Sequence, residues 1–125
     1  MIVGLGVDIV EVSRIEAAIQ RYGRHFLERL FTPAEIAYCQ GYRHSSERFA
    51  GRFAAKEAAM KALGTGWTKG VRWVDIEVVR QASGKPTLKL HGTTAQHAEA
   101  LGVRNIALTI THSGNTALAE VIFES

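Results

Sequence analysis

The sequence GRFAAKEAAMKALGTG, at residues 51–66, contains the most informative pattern of the chain. It predicts one long helix over residues 46–63 that ends at Gly64, since glycine commonly terminates helices. With about 100° of rotation per residue, the large apolar side chains form one stripe: Phe49, Phe53, Met60 and Leu63. Three alanines form a smooth second face that suits close packing: Ala54, Ala58 and Ala62. Lys56 falls within the apolar stripe and Glu57 on its edge, where a charge is costly unless it is paired, coordinated or opened to a cleft.

The first ten residues, MIVGLGVDIV, predict a strand with two unlike faces. One face is apolar throughout: Val3, Leu5, Val7 and Ile9. The other face carries Gly4, Gly6 and then Asp8. Glycine inside a strand usually marks the close approach of another backbone or of a ligand. We therefore expect the long helix to pack on the glycine face, which would place Glu57 near Asp8.

The remaining segments predict shorter helices and strands. The further helices are expected over 11–22, from Thr32 to about Gln40, and from a capping box at Thr93 to Gly102. The further strands are expected over 73–80, 87–91, 105–112 and 116–124, the last two as a hairpin. Together these elements predict an α+β fold in a single domain over residues 1–125, with a mainly antiparallel sheet packed on one long helix.

The composition is that of an ordinary globular protein. Apolar residues make up 46% and charged residues 22% of the 125 residues, which excludes a disordered chain. The apolar runs are too short to cross a bilayer, so no membrane contact is expected. The single cysteine, Cys39, is expected to be a buried structural thiol, and its lack of a partner fits the reducing cytoplasm. A net charge of +3 favours an acidic partner but is too small to indicate nucleic acid.

Two common nucleotide-binding motifs are absent. Gly4 and Gly6 follow the start of a strand, but Ile9 stands where a dinucleotide-binding fingerprint needs its third glycine. The glycine-rich segment 64–70 lacks the glycine-lysine-hydroxyl triplet that ends a P-loop. Any phosphate binding must therefore use other residues.

The charged residues of the long helix allow two interpretations. Glu57 and Lys61 could be an ordinary solvated pair, which is worth about 0.2–0.5 kcal/mol. Alternatively, Glu57 and Asp8 converge, and two adjacent carboxylates repel each other unless a cation lies between them. A site with few protein ligands, all of them hard oxygen donors, suits Mg²⁺. This cation takes its further ligands from water and substrate phosphates. Lys56 and Lys61 would then face those phosphates.

Three segments together resemble a known enzyme family, the short bacterial-type 4′-phosphopantetheinyl transferases or holo-[acyl-carrier-protein] synthases. The segments are GLGVDIVEVSRIE at 4–16, RFAAKEAAMKALGTG at 52–66 and LTITHSGNTALAEV at 108–121. The resemblance implies transfer of 4′-phosphopantetheine from coenzyme A to a serine of apo acyl carrier protein, for fatty acid biosynthesis. Adenosine 3′,5′-bisphosphate would be the other product. The resemblance also implies Mg²⁺ as cofactor and a cytoplasmic homotrimer with active sites at the subunit boundaries.

The resemblance also implies roles for individual residues. Asp8 and Glu57 match the Mg²⁺ ligands of the family, and Lys61 matches the lysine that faces the phosphates. These three would be the catalytic residues. Residues expected near coenzyme A are Arg52, Lys56, Lys61, Gly64 and His112. Larger relatives carry an additional acid where Val10 stands here, so water would fill that ligand position. Two candidates remain for the group that accepts the proton of the carrier serine: Glu57 and a water on the metal.

A basic segment near the start resembles the helix that docks the acidic carrier protein. Its residues are Arg14, Arg21, Arg24, Phe26 and Arg29. Without the family, a solvated basic helix face explains the same pattern. Two other functions are alternatives: a basic module that binds RNA or an acidic protein, and another Mg²⁺-dependent transferase that uses coenzyme A. A binding module would need neither Asp8 beside two glycines nor charges within an apolar stripe.

Overall fold

The computed structural model describes residues 1–125, with five strands and five helices. The strands are β1 (Ile2–Glu11), β2 (Ile76–Arg80), β3 (Pro86–Leu90), β4 (Asn105–Ser113) and β5 (Thr116–Glu124). The helices are α1 (Val12–Tyr22), α2 (Arg24–Leu30), α3 (Pro33–Gln40), α4 (Ser45–Leu63) and α5 (Gly92–Ala100).

The strands form two antiparallel sheets. In the larger sheet β5 lies between β1 and β4, whereas β2 and β3 form a separate pair. α4 packs across the larger sheet and also contacts β2, α1 and α3, so it lies at the centre of the molecule. This arrangement confirms the predicted α+β fold with a long helix on an antiparallel sheet. None of the helices combines the length and the apolar content that crossing a bilayer requires.

β1 and α4 approach each other closely at two glycines. A Cβ atom added at Gly6 would overlap the carbonyl oxygen of Ala58, and one added at Gly4 would overlap that of Ala62. The helix contributes only methyl groups at these positions, so the two backbones touch. The expected packing of the long helix on the glycine face is therefore confirmed.

The opposite face of β1 is open to solvent. Leu5, Val7 and Ile9 are 60%, 49% and 65% exposed. Ile122 and Leu118 of β5 pair directly with Leu5 and Ile9, so they lie on the same side of the sheet. These five residues are called the outer sheet face below. An apolar patch of this kind usually marks an interaction surface.

Two details of the predicted strands are wrong. Val3 does not share the outer sheet face, because the register shifts between Ile2 and Gly4 and turns Val3 against the core. The strand predicted to start at residue 73 starts only at Ile76, because Trp73–Asp75 forms a 3₁₀ turn.

Two helices also differ from prediction. α2 was not expected, yet the chain resumes helical structure at Arg24, directly after Gly23, whose φ of 58° separates α2 from α1. α5 starts at Gly92 without the predicted capping box at Thr93. The residue before this helix, His91, is held instead by a bond from its N–H to the carbonyl oxygen of Asp75 at 2.9 Å.

Lys56 is fully buried and all its contacts lie inside the protein. Its ammonium lies 2.8 Å from Glu35 Oε1 and donates to the carbonyl oxygens of Trp73 and Ile76 at 3.0 Å and 2.7 Å. Burial lowers the pKa of Lys56, and the negative charge of Glu35 opposes this effect. Three acceptors match the three protons of an ammonium group, so the charge is fully paired.

Glu35 joins this lysine to two further elements. Its carboxylate accepts the N–H of Thr32 at 2.9 Å, which completes the predicted capping box of α3. It also accepts the N–H of Val78 in β2 at 2.9 Å. The buried pair therefore ties α3, α4 and β2 together.

Replacing Gly6 with alanine tests the contact between β1 and α4. We expect Gly6→Ala to lower the free energy of unfolding by about 3 kcal/mol, because the new methyl group meets helix backbone that cannot move aside. Urea denaturation measures this loss. Gly41→Ala is the matched control, because Gly41 has a helical φ of −73°. Equal loss in both variants would contradict the close contact.

Replacing Lys56 with methionine tests the buried ion pair. Lys56→Met leaves the Glu35 charge buried without its cation, so we expect a loss of about 3–5 kcal/mol in urea denaturation. Lys61→Met is the control on the same helix, because the Lys61 side chain is 55% exposed and its pair should be worth about 1 kcal/mol or less. Similar losses of stability in both variants would contradict the buried ion pair between Lys56 and Glu35.

Candidate active site

Asp8 and Glu57 meet where β1 runs along α4. Asp8 follows Gly6 by two residues and therefore lies on the same face of the strand, while Glu57 directly precedes Ala58 on the helix. Their carboxyl groups line one cleft and lie close enough for Asp8 to raise the pKa of the Glu57 carboxyl. The structure thus brings together the two acids that the sequence predicts to converge.

The proximity of the two acids changes the chemistry of Glu57. Burial, the negative charge of Asp8 and the hydrogen bond between the two groups all raise the pKa of the Glu57 carboxyl. The positive charge of Lys61 opposes them. A pair of carboxyl groups held in contact is a place where a further cation is electrostatically favoured.

Lys61 completes this cluster one helical turn after Glu57. Its ammonium donates to Asp8 Oδ1 and to the carbonyl oxygen of Val7, both at 3.0 Å. The Asp8 side chain is 10% exposed, whereas Lys61 remains open to solvent. Lys61 therefore carries its positive charge at the mouth of the acidic site, where a phosphate could reach it.

The donor atoms of this site fit Mg²⁺. Asp8 and Glu57 offer oxygen ligands only, and no cluster of three or more His, Cys, Asp or Glu side chains that could hold a metal occurs in the structure. Two carboxylates suit a cation that keeps several waters and binds substrate phosphates. They do not suit a metal that needs a full set of protein ligands.

A cleft of about 630 Å³ opens beside the acid pair. Asp8 and Glu57 line it together with Arg14 and Phe26, two of the residues predicted to bind the carrier protein. A basic and an aromatic side chain of α1 and α2 therefore border the same opening as the acids.

The other residues of the basic segment point elsewhere. Arg21 lies over the ring of Tyr22 at 5.3 Å, and Arg24 pairs with Glu28 at 2.9 Å. Arg29 borders a separate groove beside Trp67. The segment is divided between two helices at Gly23, so the five predicted residues do not share one helix face.

A second cavity of about 210 Å³ contains a group of cationic side chains. This cavity, called the cation pocket below, is lined by Tyr38, Arg48, Arg52, Arg80, Gly84, Pro86, Ile110 and His112. The predicted coenzyme residues Arg52 and His112 thus lie together. His112 Nε2 donates to the carbonyl oxygen of Glu47 at 2.8 Å, and its ring packs over Gly51, where an added Cβ would lie only 2.9 Å from Nε2.

Sequence reasoning missed the three other polar side chains of this pocket, Tyr38, Arg48 and Arg80. Arg48 lies one turn before Arg52 on α4, a spacing that could have been noticed. Tyr38 comes from α3 and Arg80 from the end of β2, and no local pattern links these elements to α4.

Two further predicted coenzyme residues have other surroundings. Lys56 has no exposed surface and no unpaired proton, so the prediction that it contacts coenzyme A phosphates is wrong. Gly64 ends α4 with a φ of 78°, and its N–H bonds to the carbonyl oxygens of Met60 and Lys61 at 3.1 Å. Its place beside the coenzyme stays a prediction.

The cation pocket and the acid pair open on different sides of α4. Arg52 and Glu57 are five residues apart, which separates their directions by about 140° around the helix axis. Within one chain the two sites are therefore distinct surfaces.

Comparison with known proteins agrees with these features. Residues 4–115 match the family model described as the 4′-phosphopantetheinyl transferase superfamily. A holo-[acyl-carrier-protein] synthase from Solibacter usitatus (strain Ellin6076) is 58% identical over 125 residues, which cover all of both chains. The corresponding protein from Koribacter versatilis (strain Ellin345) is 56% identical and covers 99% of both chains.

Solved structures show the same fold. The crystal structure of holo-[acyl-carrier-protein] synthase from Neisseria meningitidis is 34% identical, covers both chains completely and superposes with a TM-score of 0.91. The Helicobacter pylori enzyme in complex with coenzyme A is 32% identical and has a TM-score of 0.84, covering 96% of this chain and 99% of that one. From the family match, the full-length relatives and the shared fold, we conclude that this chain belongs to the 4′-phosphopantetheinyl transferase superfamily.

Proposed function

We propose that this chain transfers 4′-phosphopantetheine from coenzyme A to a serine of apo acyl carrier protein and releases adenosine 3′,5′-bisphosphate. The observation that carries the proposal is the convergence of Asp8 and Glu57 at one cleft, with the Lys61 ammonium bonded to Asp8. Full-length relatives named holo-[acyl-carrier-protein] synthase support it. The modified carrier would serve fatty acid biosynthesis, and the free, buried Cys39 is compatible with the cytoplasm as the location.

Asp8 and Glu57 are the residues that would hold Mg²⁺. When bound, the cation would neutralise the pyrophosphate of coenzyme A and stabilise the departing bisphosphate. Lys61 adds a second positive charge beside Asp8, and its exposed ammonium can donate to phosphate oxygens in place of Asp8. The catalytic contribution of this chain is therefore mainly electrostatic.

The carrier serine must lose a proton as it attacks the pyrophosphate. Glu57 lines the cleft that the serine would enter, and a carboxylate within hydrogen-bonding reach can accept such a proton. We assign Glu57 this role in addition to metal binding, because its carboxylate lines the cleft beside the exposed Arg14 and the half-buried Phe26, where the carrier would dock.

The acidic carrier would approach the side of the cleft that carries Arg14 and Phe26. Arg14 is exposed and Phe26 is half-buried, so a basic and an apolar contact stand beside the reacting groups. Arg21, Arg24 and Arg29 would add a more distant positive field that steers the carrier.

We further propose a homotrimer with active sites at its subunit boundaries. The outer sheet face offers an apolar surface that a second copy can cover. The cation pocket and the acid pair face different directions in one chain, so the pocket of one copy could complete the acid pair of the next. Sedimentation analysis tests the assembly.

Substitution of the acid pair tests the proposed chemistry. We expect Asp8→Ala and Glu57→Ala each to lower transfer by about 100-fold or more, because each removes a group that organises charge at the pyrophosphate. The measurement is the mass gain of apo carrier protein incubated with Mg²⁺ and coenzyme A. Glu99→Ala, an exposed acid on α5, should keep full activity. A fully active Glu57→Ala enzyme with an unchanged urea midpoint would overturn the proposal.

Charge reversal at Arg14 tests the docking side. Arg14→Glu should raise the KM for carrier protein severalfold and leave the KM for coenzyme A unchanged, since the proposed contact of Arg14 is with the acidic carrier and the coenzyme is held by other residues. The difference from wild type should shrink as salt screens the charges. Arg104→Glu reverses an exposed charge outside the cleft and serves as the control. Equal increases in both KM values would contradict docking at Arg14.

A further inference from the structure

The cation pocket gathers positive charge without a compensating acid. No carboxylate lines the cavity, and Arg48, Arg52 and Arg80 take part in none of the ion pairs of the structure. Arg52 is only 7% exposed, and its Nε atom is buried without a hydrogen-bond partner. Guanidinium groups held together in this way repel one another, so the pocket is suited to a polyanionic ligand.

Tyr38 is the side chain that holds two of these arginines. The guanidinium of Arg52 lies over the Tyr38 ring at 4.1 Å from its centre. Arg80 Nη1 donates to the Tyr38 hydroxyl oxygen, and the guanidinium of Arg80 lies 5.2 Å from the same ring centre. The Tyr42 hydroxyl donates to the Tyr38 hydroxyl at 3.0 Å and fixes its direction.

The environment of Tyr38 reflects these contacts. Burial disfavours ionisation of the phenol, but the hydrogen bond from Tyr42 and the charges of Arg52 and Arg80 outweigh it and hold the pKa below its ordinary value. The hydroxyl oxygen accepts from both Arg80 and Tyr42, so its place in the pocket is fixed from two sides. A carboxylate at this position would hold the arginines more tightly, but it would also neutralise them. A neutral phenol orients both guanidinium groups and leaves their charge for a ligand.

The proposed function identifies the anion. Coenzyme A carries a pyrophosphate and a 3′-phosphate. The bond that breaks lies in the pyrophosphate, which therefore belongs with Asp8, Glu57 and Lys61. The 3′-phosphate is the remaining anionic group, and the cation pocket is where three unpaired arginines converge.

We propose that Tyr38 is a positioning residue that orients Arg52 and Arg80 toward the 3′-phosphate of coenzyme A. It thereby sets the preference for coenzyme A over a donor that lacks this phosphate. This inference rests on the proposed function and on the proposed assembly, in which the cation pocket of one copy lies beside the acid pair of the next. Tyr38 itself takes no part in the chemical step.

The test compares two donors, coenzyme A and 3′-dephospho-coenzyme A, with full-length enzyme, Mg²⁺ and apo carrier protein. Tyr38→Leu removes both the ring beneath Arg52 and the acceptor of Arg80. We expect it to lower kcat/KM for coenzyme A by about tenfold through KM, with kcat nearly unchanged. With the dephospho donor, kcat/KM should hardly change. The donor preference, which is the ratio of kcat/KM for coenzyme A to kcat/KM for the dephospho donor, should therefore fall. Tyr38→Phe keeps the ring and should lower the donor preference by less than Tyr38→Leu does.

Tyr22→Leu is the matched control, because Tyr22 also carries an arginine on its ring but lies outside the cation pocket. Its donor preference should equal that of the wild type. Should Tyr38→Leu not fold, Tyr38→Phe supplies a second measurement: inhibition by adenosine 3′,5′-bisphosphate should weaken more than inhibition by adenosine 5′-monophosphate.

Three outcomes would overturn the inference. The first is equal loss with both donors in the Tyr38 variants, and the second is an unchanged donor preference. The third is a wild-type enzyme that uses both donors equally, since the enzyme would then not recognise the 3′-phosphate. In all three cases transfer still occurs and the proposed function survives. Absence of transfer by the wild-type enzyme from either donor would instead refute the proposed function, and this inference with it.

Discussion

The direct contact between the backbones of β1 and α4 determines the geometry of the rest of the structure. Gly4 and Gly6 leave room for the helix carbonyls of Ala62 and Ala58, so the strand lies against the helix with almost no side chain between them. Asp8 is the next residue on that strand face, and Glu57 directly precedes Ala58. The place where side chains resume is therefore occupied by two carboxyl groups, which the packing forces into contact.

This contact brings like charges together, and neighbouring parts of α4 offset the cost. Lys61 places its ammonium on Asp8, which supplies one positive charge within the cluster. On another face of the helix, Lys56 and Glu35 form a fully paired buried network that fixes α4 to α3 and β2. Two lysines five residues apart thus have different tasks: Lys56 anchors the helix, and Lys61 stays available to a ligand because it is exposed.

Local patterns in the sequence predicted the parts of the site that depend on strand parity and helix phase. The missing side chains of β1 and the period of α4 were enough to bring Asp8 and Glu57 together. Helix phase also indicated that Lys56 is buried or opens to a cleft, but it could not choose between these, because its partner Glu35 lies 21 residues earlier in the chain. Tyr38 and Arg80 were missed for the same reason: tertiary packing of α3 and β2 brings them to α4.

The same glycines also explain the exposed side of β1. In an ordinary amphipathic strand the large apolar side chains face the core. Here the face without side chains must lie inward, because only glycine allows the helix so close, and the apolar residues are left outside. One face of β1 therefore builds the acid pair, while the other presents an apolar surface suited to a second copy of the chain. Because both faces belong to a single strand, a shift of β1 that loosened the acid pair would also displace the outer sheet face. The acid pair and the outer sheet face are in this way coupled through the packing of one strand on one helix.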